Sequence, residues 1–229
     1  TLVNVTVWNT GDEPAHEVEL SLMLPEGFSA STAFIGELPP RRRIVASFNT
    51  SIPQNARGRY PLVVKINYAD GNSYPFSTVT ARYLRVIQAP PLSLQVKAGD
   101  VELYGRDSSK IRVEVTNRDS AVRDLTSRIY LPEEVKAVEY MKSVRLAPGE
   151  TREIGYELSN LGGLPGSTYV AIMGFEYDEG GLHHTSLTSS AVKLFEERKV
   201  LPDHTLFYAG AAIFAVLMVA FIVYQFKGG

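Results

Sequence analysis

The chain has 229 residues, 45% of them hydrophobic, with 23 basic and 25 acidic side chains and a formal net charge of −2. Both signs are scattered along it, with no basic block of the kind a nucleic-acid partner requires. It contains no cysteine, so disulfides, cysteine-based zinc sites and thiol catalysis are excluded.

In chain order, the sequence opens at Thr1 directly in an alternating run, Leu2-Val3-Asn4-Val5-Thr6-Val7-Trp8. Similar short runs, punctuated by Gly, Pro, Asn and Asp, continue to about residue 195, which is the pattern of half-buried strands. No amphipathic helix precedes residue 206; residues 133–141 allow at most one helical turn. The two halves repeat each other. Val5-Thr6-Val7-Trp8-Asn9 aligns with Val113-Glu114-Val115-Thr116-Asn117, Leu24-Pro25-Glu26 with Leu131-Pro132-Glu133, and Leu38-Pro39-Pro40 with Leu146-Ala147-Pro148. Tyr60 aligns with Tyr169, and Tyr68-Ala69-Asp70-Gly71 with Tyr177-Asp178-Glu179-Gly180, so the offset stays between 107 and 109 residues. Order preserved at constant offset marks an internal repeat.

Each half holds about seven strands in about 100 residues, the pattern of an immunoglobulin-like sandwich. Period two assigns the core faces. In the first half they are Val3, Val5, Val7, Val18, Leu20, Leu22, Ile44, Phe48, Leu62, Val64 and Ile66. In the second they are Ile111, Val113, Val115, Leu125, Ile129, Ile154, Leu158, Ala171, Met173 and Phe175. Tyr60 and Tyr169 each follow a Gly-containing turn, the setting of a tyrosine corner. Residues 91–110 precede the first aligned strand of the second half and carry their own alternation, Leu92, Leu94 and Val96; the first half has no counterpart. Its sandwich is therefore expected to lack its opening strand, which upstream sequence or another chain would supply.

Residues 206–226 carry no formal charge. At 1.5 Å per residue they would cover about 31 Å as a helix, close to the hydrocarbon thickness of a bilayer. Tyr208 and Tyr224 sit at interfacial positions, Leu206 and Phe226 bound the run, and Ala211 and Ala215 form a small-xxx-small pair. The expected fold is thus all-β, two tandem immunoglobulin-like β-sandwiches (1–88, without its first strand, and 89–197), followed by a juxtamembrane linker (198–205) and one C-terminal transmembrane helix (206–226). Arg198 and Lys199 before the run and Lys227 after it leave orientation open.

The search for chemistry assigns no catalytic residue, metal ligand or cofactor. His183 and His184 are adjacent on a strand, so they point to opposite faces and read as surface residues. Asp70-Gly71-Asn72 and Asp178-Glu179-Gly180-Gly181 read as hairpin turns rather than calcium loops. No nucleophile elbow, phosphate loop or dinucleotide fingerprint occurs. Asn4 and Asn49 each begin an N-glycosylation triplet. Trp8, the single tryptophan, falls on the outward parity of its strand, where it either packs locally or anchors a partner or a sugar. Arg41-Arg42-Arg43 reads as a solvated turn.

Val5-Thr6-Val7-Trp8-Asn9-Thr10-Gly11, Leu24-Pro25-Glu26-Gly27-Phe28, Ile35-Gly36-Glu37-Leu38-Pro39-Pro40 and Gly58-Arg59-Tyr60-Pro61-Leu62 resemble the CARDB-type and S-layer-like tandem immunoglobulin-like repeats of bacterial and archaeal cell-surface proteins. The resemblance covers both halves and is weaker in the second, where Asn117-Arg118-Asp119-Ser120 replaces the Asn-Thr-Gly turn. It implies a non-enzymatic, extracytoplasmic module for adhesion, spacing or assembly; with the apolar run as its single-pass anchor, membrane lipid and other envelope or membrane proteins are the expected partners of these spacer and protein-interaction modules. An accessory subunit of a larger integral membrane complex and a carbohydrate-binding surface module, with a glycan as partner, are the alternatives.

Overall fold

The computed structural model describes residues 1–88, 90–197, 208, 213, 214 and 216–218. Thr1–Glu196 forms one compact unit and Glu197–Gly229 another.

The alternation of the first half folds as β1 (Leu2–Trp8), β2 (Ala15–Met23), β3 (Ser29–Ala30), β4 (Ala33–Leu38), β5 (Arg43–Ser51), β6 (Gly58–Ala69) and β7 (Pro75–Val86). The second half gives β8 (Leu94–Ala98), β9 (Val101–Tyr104), β10 (Ser108–Asn117), β11 (Arg123–Tyr130), β12 (Val135–Ala137), β13 (Met141–Leu146), β14 (Thr151–Asn160), β15 (Thr168–Glu179) and β16 (Leu182–Phe195). Residues 133–141 do not form the helical turn their composition allowed. The segment extends into β12 because Val135 and Ala137 alternate into the core and pair with β14.

In the first sandwich a sheet of order β1-β5-β3 faces β4, β2, β6 and β7. In the second, β12-β14-β10-β8 faces β13, β11, β15, β16 and β9. The two larger sheets are one. His183 on β16 bridges Gly58 on β6 in parallel, which joins them into nine strands of order β13-β11-β15-β16-β6-β2-β4, with β7 on β6 and β9 on β16. The turns carry the expected chemistry. The Asp70 side chain accepts the N–H groups of Asn72 and Tyr74, each at 2.9 Å, which closes the β6–β7 hairpin. Gly180 and Gly181, at φ 57° and 75°, make a two-residue loop between paired Glu179 and Leu182, the conformation glycine adopts without a Cβ penalty.

Period two placed the second core correctly: all ten residues expected there are buried. The first core is thinner. Val18, Leu20 and Phe48 are buried, Val3, Val5 and Val7 only partly so, and Ile44 is 38% exposed.

The membrane-spanning helix expected over residues 206–226 needs correction. Among the described residues no helix is long and apolar enough to cross a membrane. Tyr208, Ile213, Phe214, Val216, Leu217 and Met218 are helical and exposed. Leu206, Ala211, Ala215, Tyr224 and Phe226 lie outside the described residues. The physical reason is that an apolar run supplies hydrophobicity, whereas a span also requires about 20 residues of continuous helix. The single-pass membrane localisation built on that run is corrected with it.

Candidate interaction surface

The open end of the first sandwich is organised by Asn9, which follows β1. Its side-chain amide donates to Glu13 O (2.8 Å) and Leu38 O (3.0 Å), and its oxygen accepts the N–H of Gly11 (3.0 Å). Asn117, its repeat partner, does the same work in the second sandwich, donating to Ala121 O (2.8 Å) and Ala147 O (3.1 Å) and accepting from Asp119 N–H (3.0 Å). The amide side chain thus ties each opening strand to the loop behind it. Beside Asn9 lies a cleft of about 720 Å³ lined by Val7, Trp8, Leu38, Tyr68, Phe76 and Tyr169, among others. Trp8, at its rim, is 62% exposed, as its outward parity demands.

Asn4 and Asn49 are both exposed. Asn4 pairs with Ser47 and Asn49 with Leu2 across β1 and β5, so the two asparagines are close on one solvent face. The Asn4 carboxamide oxygen accepts the Ser47 hydroxyl at 2.9 Å. Arg41 lies in a turn at φ 59° and pairs with Asp12 at the surface.

A buried polar construction lies between the sandwiches. Glu134 is 7% exposed and accepts the Ser77 N–H (2.5 Å) and the Ser77 hydroxyl (2.6 Å), while Ser77 Oγ accepts the N–H of Glu133 (2.6 Å). The Lys65 ammonium meets Glu133 at 2.6 Å. The Tyr74 hydroxyl donates to Gly162 O (2.6 Å), the Thr185 hydroxyl to Arg59 O (2.7 Å), and Leu187 N–H to the Tyr83 hydroxyl (3.0 Å). Val63 and Val79 from one sandwich and Tyr130 and Ile172 from the other form a buried apolar patch alongside. Burial, reinforced by Glu176, pushes the Tyr130 hydroxyl up to about 12, so it stays protonated.

His183 and His184 do point to opposite faces, but neither is a free surface side chain. His183 stacks on Tyr60 (centroids 4.4 Å apart, 5° between planes) and bonds Asp178 through Nδ1 (2.9 Å) and Glu176 through Nε2 (3.0 Å). Burial alone would lower its pKa; the bonds to Glu176 and Asp178 outweigh that and raise it. His184 is buried against Tyr177, and burial lowers its pKa with help from Arg123 and His183, against the opposing pull of Glu179. Alternation gave their directions; what covers His183 is set in part by Tyr60, 123 positions away. Tyr60 makes the expected corner, its hydroxyl donating to Arg57 O at 3.2 Å, while Tyr169 buries its ring. Glu134 and Ser77 gave no sequence signal, since an isolated acid after Leu-Pro-Glu reads as solvated. With both ring nitrogens of His183 engaged, its cluster holds two strands together. Among the described residues, no group of three or more His, Asp and Glu is placed to hold a metal ion.

Residues 1–69 match the family profile of the NPCBM-associated, NEW3 domain of alpha-galactosidase. That match covers β1–β6 and is to a NEW3 domain; the finer CARDB-type assignment is not what matches. No curated protein matches the chain. Among solved structures, a protein of unknown function from Porphyromonas gingivalis W83 is similar at 21% identity, with 48% of this chain and 50% of that one covered and a TM-score of 0.36. The chain thus spans about half the length of that protein. The CupB2 chaperone of Pseudomonas aeruginosa is similar at 13% identity over 82% of this chain and 92% of that one, with a TM-score of 0.33. The PapD-like domain 7 of human CEP192 is similar at 10% identity over 51% and 96%, with a TM-score of 0.35.

Proposed function

We propose that this chain is a non-catalytic interaction module in which two sandwiches act as one stiff spacer that presents the open end of the first sandwich to another polypeptide. The observation that carries this reading is the junction. A shared sheet, a buried Glu134–Ser77 pair and an apolar patch tie the halves together, where tandem modules on flexible linkers move independently by default. The match of residues 1–69 to an associated domain of alpha-galactosidase supports an accessory role beside a partner that supplies the activity.

The chain has no native cysteine, so two introduced cysteines can be labelled cleanly. Spin labels at Glu37→Cys and Lys136→Cys are expected to give a single narrow distance distribution by double electron–electron resonance. A broad or bimodal distribution would refute the stiff spacer. The exposed Trp8 beside the cleft favours one second reading, a sugar platform. Glycan-array binding lost on Trp8→Ala would support that reading, and absence of binding by the parent chain would remove it.

A further inference from the structure

The β15–β16 hairpin carries three titratable side chains on one face. Asp178 lies directly opposite His183, and Glu176, two residues before Asp178 on β15, lies diagonal to it, so alternation brings all three to the same side of the sheet. The corresponding positions of the first sandwich hold Asn67, Ala69 and Pro75, with Ala69 opposite Pro75, so the fold itself does not require the trio.

The geometry fixes the number of protons on the ring. His183 meets Asp178 through Nδ1 at 2.9 Å and Glu176 through Nε2 at 3.0 Å. A neutral imidazole carries one N–H, and carboxylate oxygens only accept. Both bonds exist together only when the ring is an imidazolium. That charged ring lies flat on Tyr60 of the first sandwich, with centroids 4.4 Å apart and planes 5° apart, a cation over an aromatic face. The His183 backbone N–H also reaches across the junction, to Arg57 O at 2.9 Å.

Beside His183 the two sandwiches leave a groove of about 490 Å³. Its walls carry Glu26 from the first sandwich and Asp124, Glu176 and Asp178 from the second, with Arg128 as the one permanent cation lining it among the described residues. Asp124 also meets Arg145 at 3.6 Å. Tyr60, Tyr130 and Tyr177 complete the titratable lining. On the strands flanking the ring, Arg57 is exposed, Arg59 lies over Tyr83 at 5.1 Å, and His184 stacks on Tyr177 on the other face. When His183 loses its proton, the ring keeps one N–H for Glu176, which is 13% exposed, and Asp178, which is 80% exposed, turns to water. The attraction to Tyr60 falls to that of a neutral stack. Glu26 then faces a wall of carboxylates with one cation fewer.

We propose that the junction is a pH-gated clasp: protonated His183 pins the β15–β16 hairpin to Tyr60, and its deprotonation frees that end of β6 while the other end stays tied. The tied end is held by bonds that do not involve His183: Glu134 with Ser77, Tyr74 with Gly162 O, and Lys65 with Glu133. Asn67, opposite Ser77, is nine residues from Gly58, or about 30 Å along a strand, so release at one end lets the sandwiches swing about the other. Burial works against the charged ring, but the bonds to Glu176 and Asp178 outweigh it and raise the pKa above 6.5. The clasp is therefore closed below the unfolded value and opens as pH rises through the folded one. The inference rests on the stiff-spacer reading and adds the condition under which the spacer is stiff.

The test uses the full chain with spin labels at Glu37→Cys and Lys136→Cys, measured from about pH 5 to 9, with circular dichroism at each pH to follow the fold. Expected is a narrow distance distribution at the acid end that broadens in one titration step, while the exchange protection of the His183 amide falls about tenfold. His183→Gln carries no charge at any pH and should be broad and pH-independent. Asp178→Asn supplies a second arm should His183→Gln not fold. The site is exposed, and an amide can donate to the neutral ring, so the step should move to lower pH. A distribution narrow across the whole range, with constant amide protection, would overturn the clasp and leave the spacer reading standing. So would a broadening step that neither substitution moves, since another group would then be titrating. A distribution broad at every pH would sink the spacer reading, and the clasp with it.

Discussion

Gly58 is the point where the two sheets touch backbone to backbone, and replacing it with alanine tests the junction directly. Its φ is +117°, and a Cβ there would lie 2.2 Å from His183 O and 2.5 Å from His183 N. Both are main-chain atoms of a paired strand, so no side chain can swing aside. Admitting the methyl group requires the parallel bridge to open by about 1 Å to reach ordinary contact. Opening it removes the His183 N–H bond to Arg57 O, now 2.9 Å, a loss of about 1 kcal/mol. It also disturbs the stack of His183 on Tyr60, about 1 kcal/mol more, and forces alanine into a φ that L residues avoid, for a further ~1–2 kcal/mol. The sum, about 3–4 kcal/mol, is a large share of the stability of an ordinary domain. Urea denaturation measures it, and the Glu37–Lys136 spin-label distance should broaden in the same variant. Gly166 provides the control: its φ is +88° but nothing lies within 4 Å of a Cβ there, so Gly166→Ala should cost only the backbone strain. If Gly58→Ala were no more destabilising than Gly166→Ala, the tight junction argued above would be wrong.

Glu134→Ala strands the buried Ser77 N–H and hydroxyl and should cost about 1–3 kcal/mol in chemical denaturation, with Glu134→Gln milder because it keeps an acceptor. The histidines set opposing pH dependences between about pH 5 and 8. His183 has a raised folded pKa, so its contribution is full below the unfolded value near 6.5 and is lost as pH rises through the folded value. His184 has a lowered one, so protonating it costs stability as pH falls through the unfolded value. Denaturation midpoints of His183→Gln should therefore fall more steeply on acidification than those of the parent, and those of His184→Gln less steeply; parallel curves for all three would contradict the assignment. Arg123 is 7% exposed, clasps Glu179 with two bonds (2.5 and 2.6 Å), also pairs with Asp119, and lies 5.0 Å over the Tyr177 ring. Arg123→Ala should lower the unfolding free energy by about 2–4 kcal/mol through lost packing and pairing, and Arg123→Met by less, as read in urea titrations.

Much of the architecture was legible from the residues alone, for a physical reason. Side chains alternate across a strand, so Val113, Val115, Met173 and Phe175 declare their face without reference to any neighbour. Asp70-Gly71 and Gly180-Gly181 declare their turns because few residues adopt those dihedrals. The constant offset between the halves declared the repeat. Residues 133–141 misled because propensity is weak beside the pull of a core that Val135 and Ala137 could reach.

What only the tertiary structure decided are the contacts between residues far apart in the chain. No local pattern marks Glu134 as buried, because its partner Ser77 is 57 positions away. No pattern marks Gly58 as the contact point of two sheets or His183 as a junction residue, because each takes its meaning from the other across 125 positions. The apolar stretch near the C-terminus shows the same limit from the other side. Composition determines how much a segment gains by leaving water, but it does not by itself fix the structure in which the segment does so.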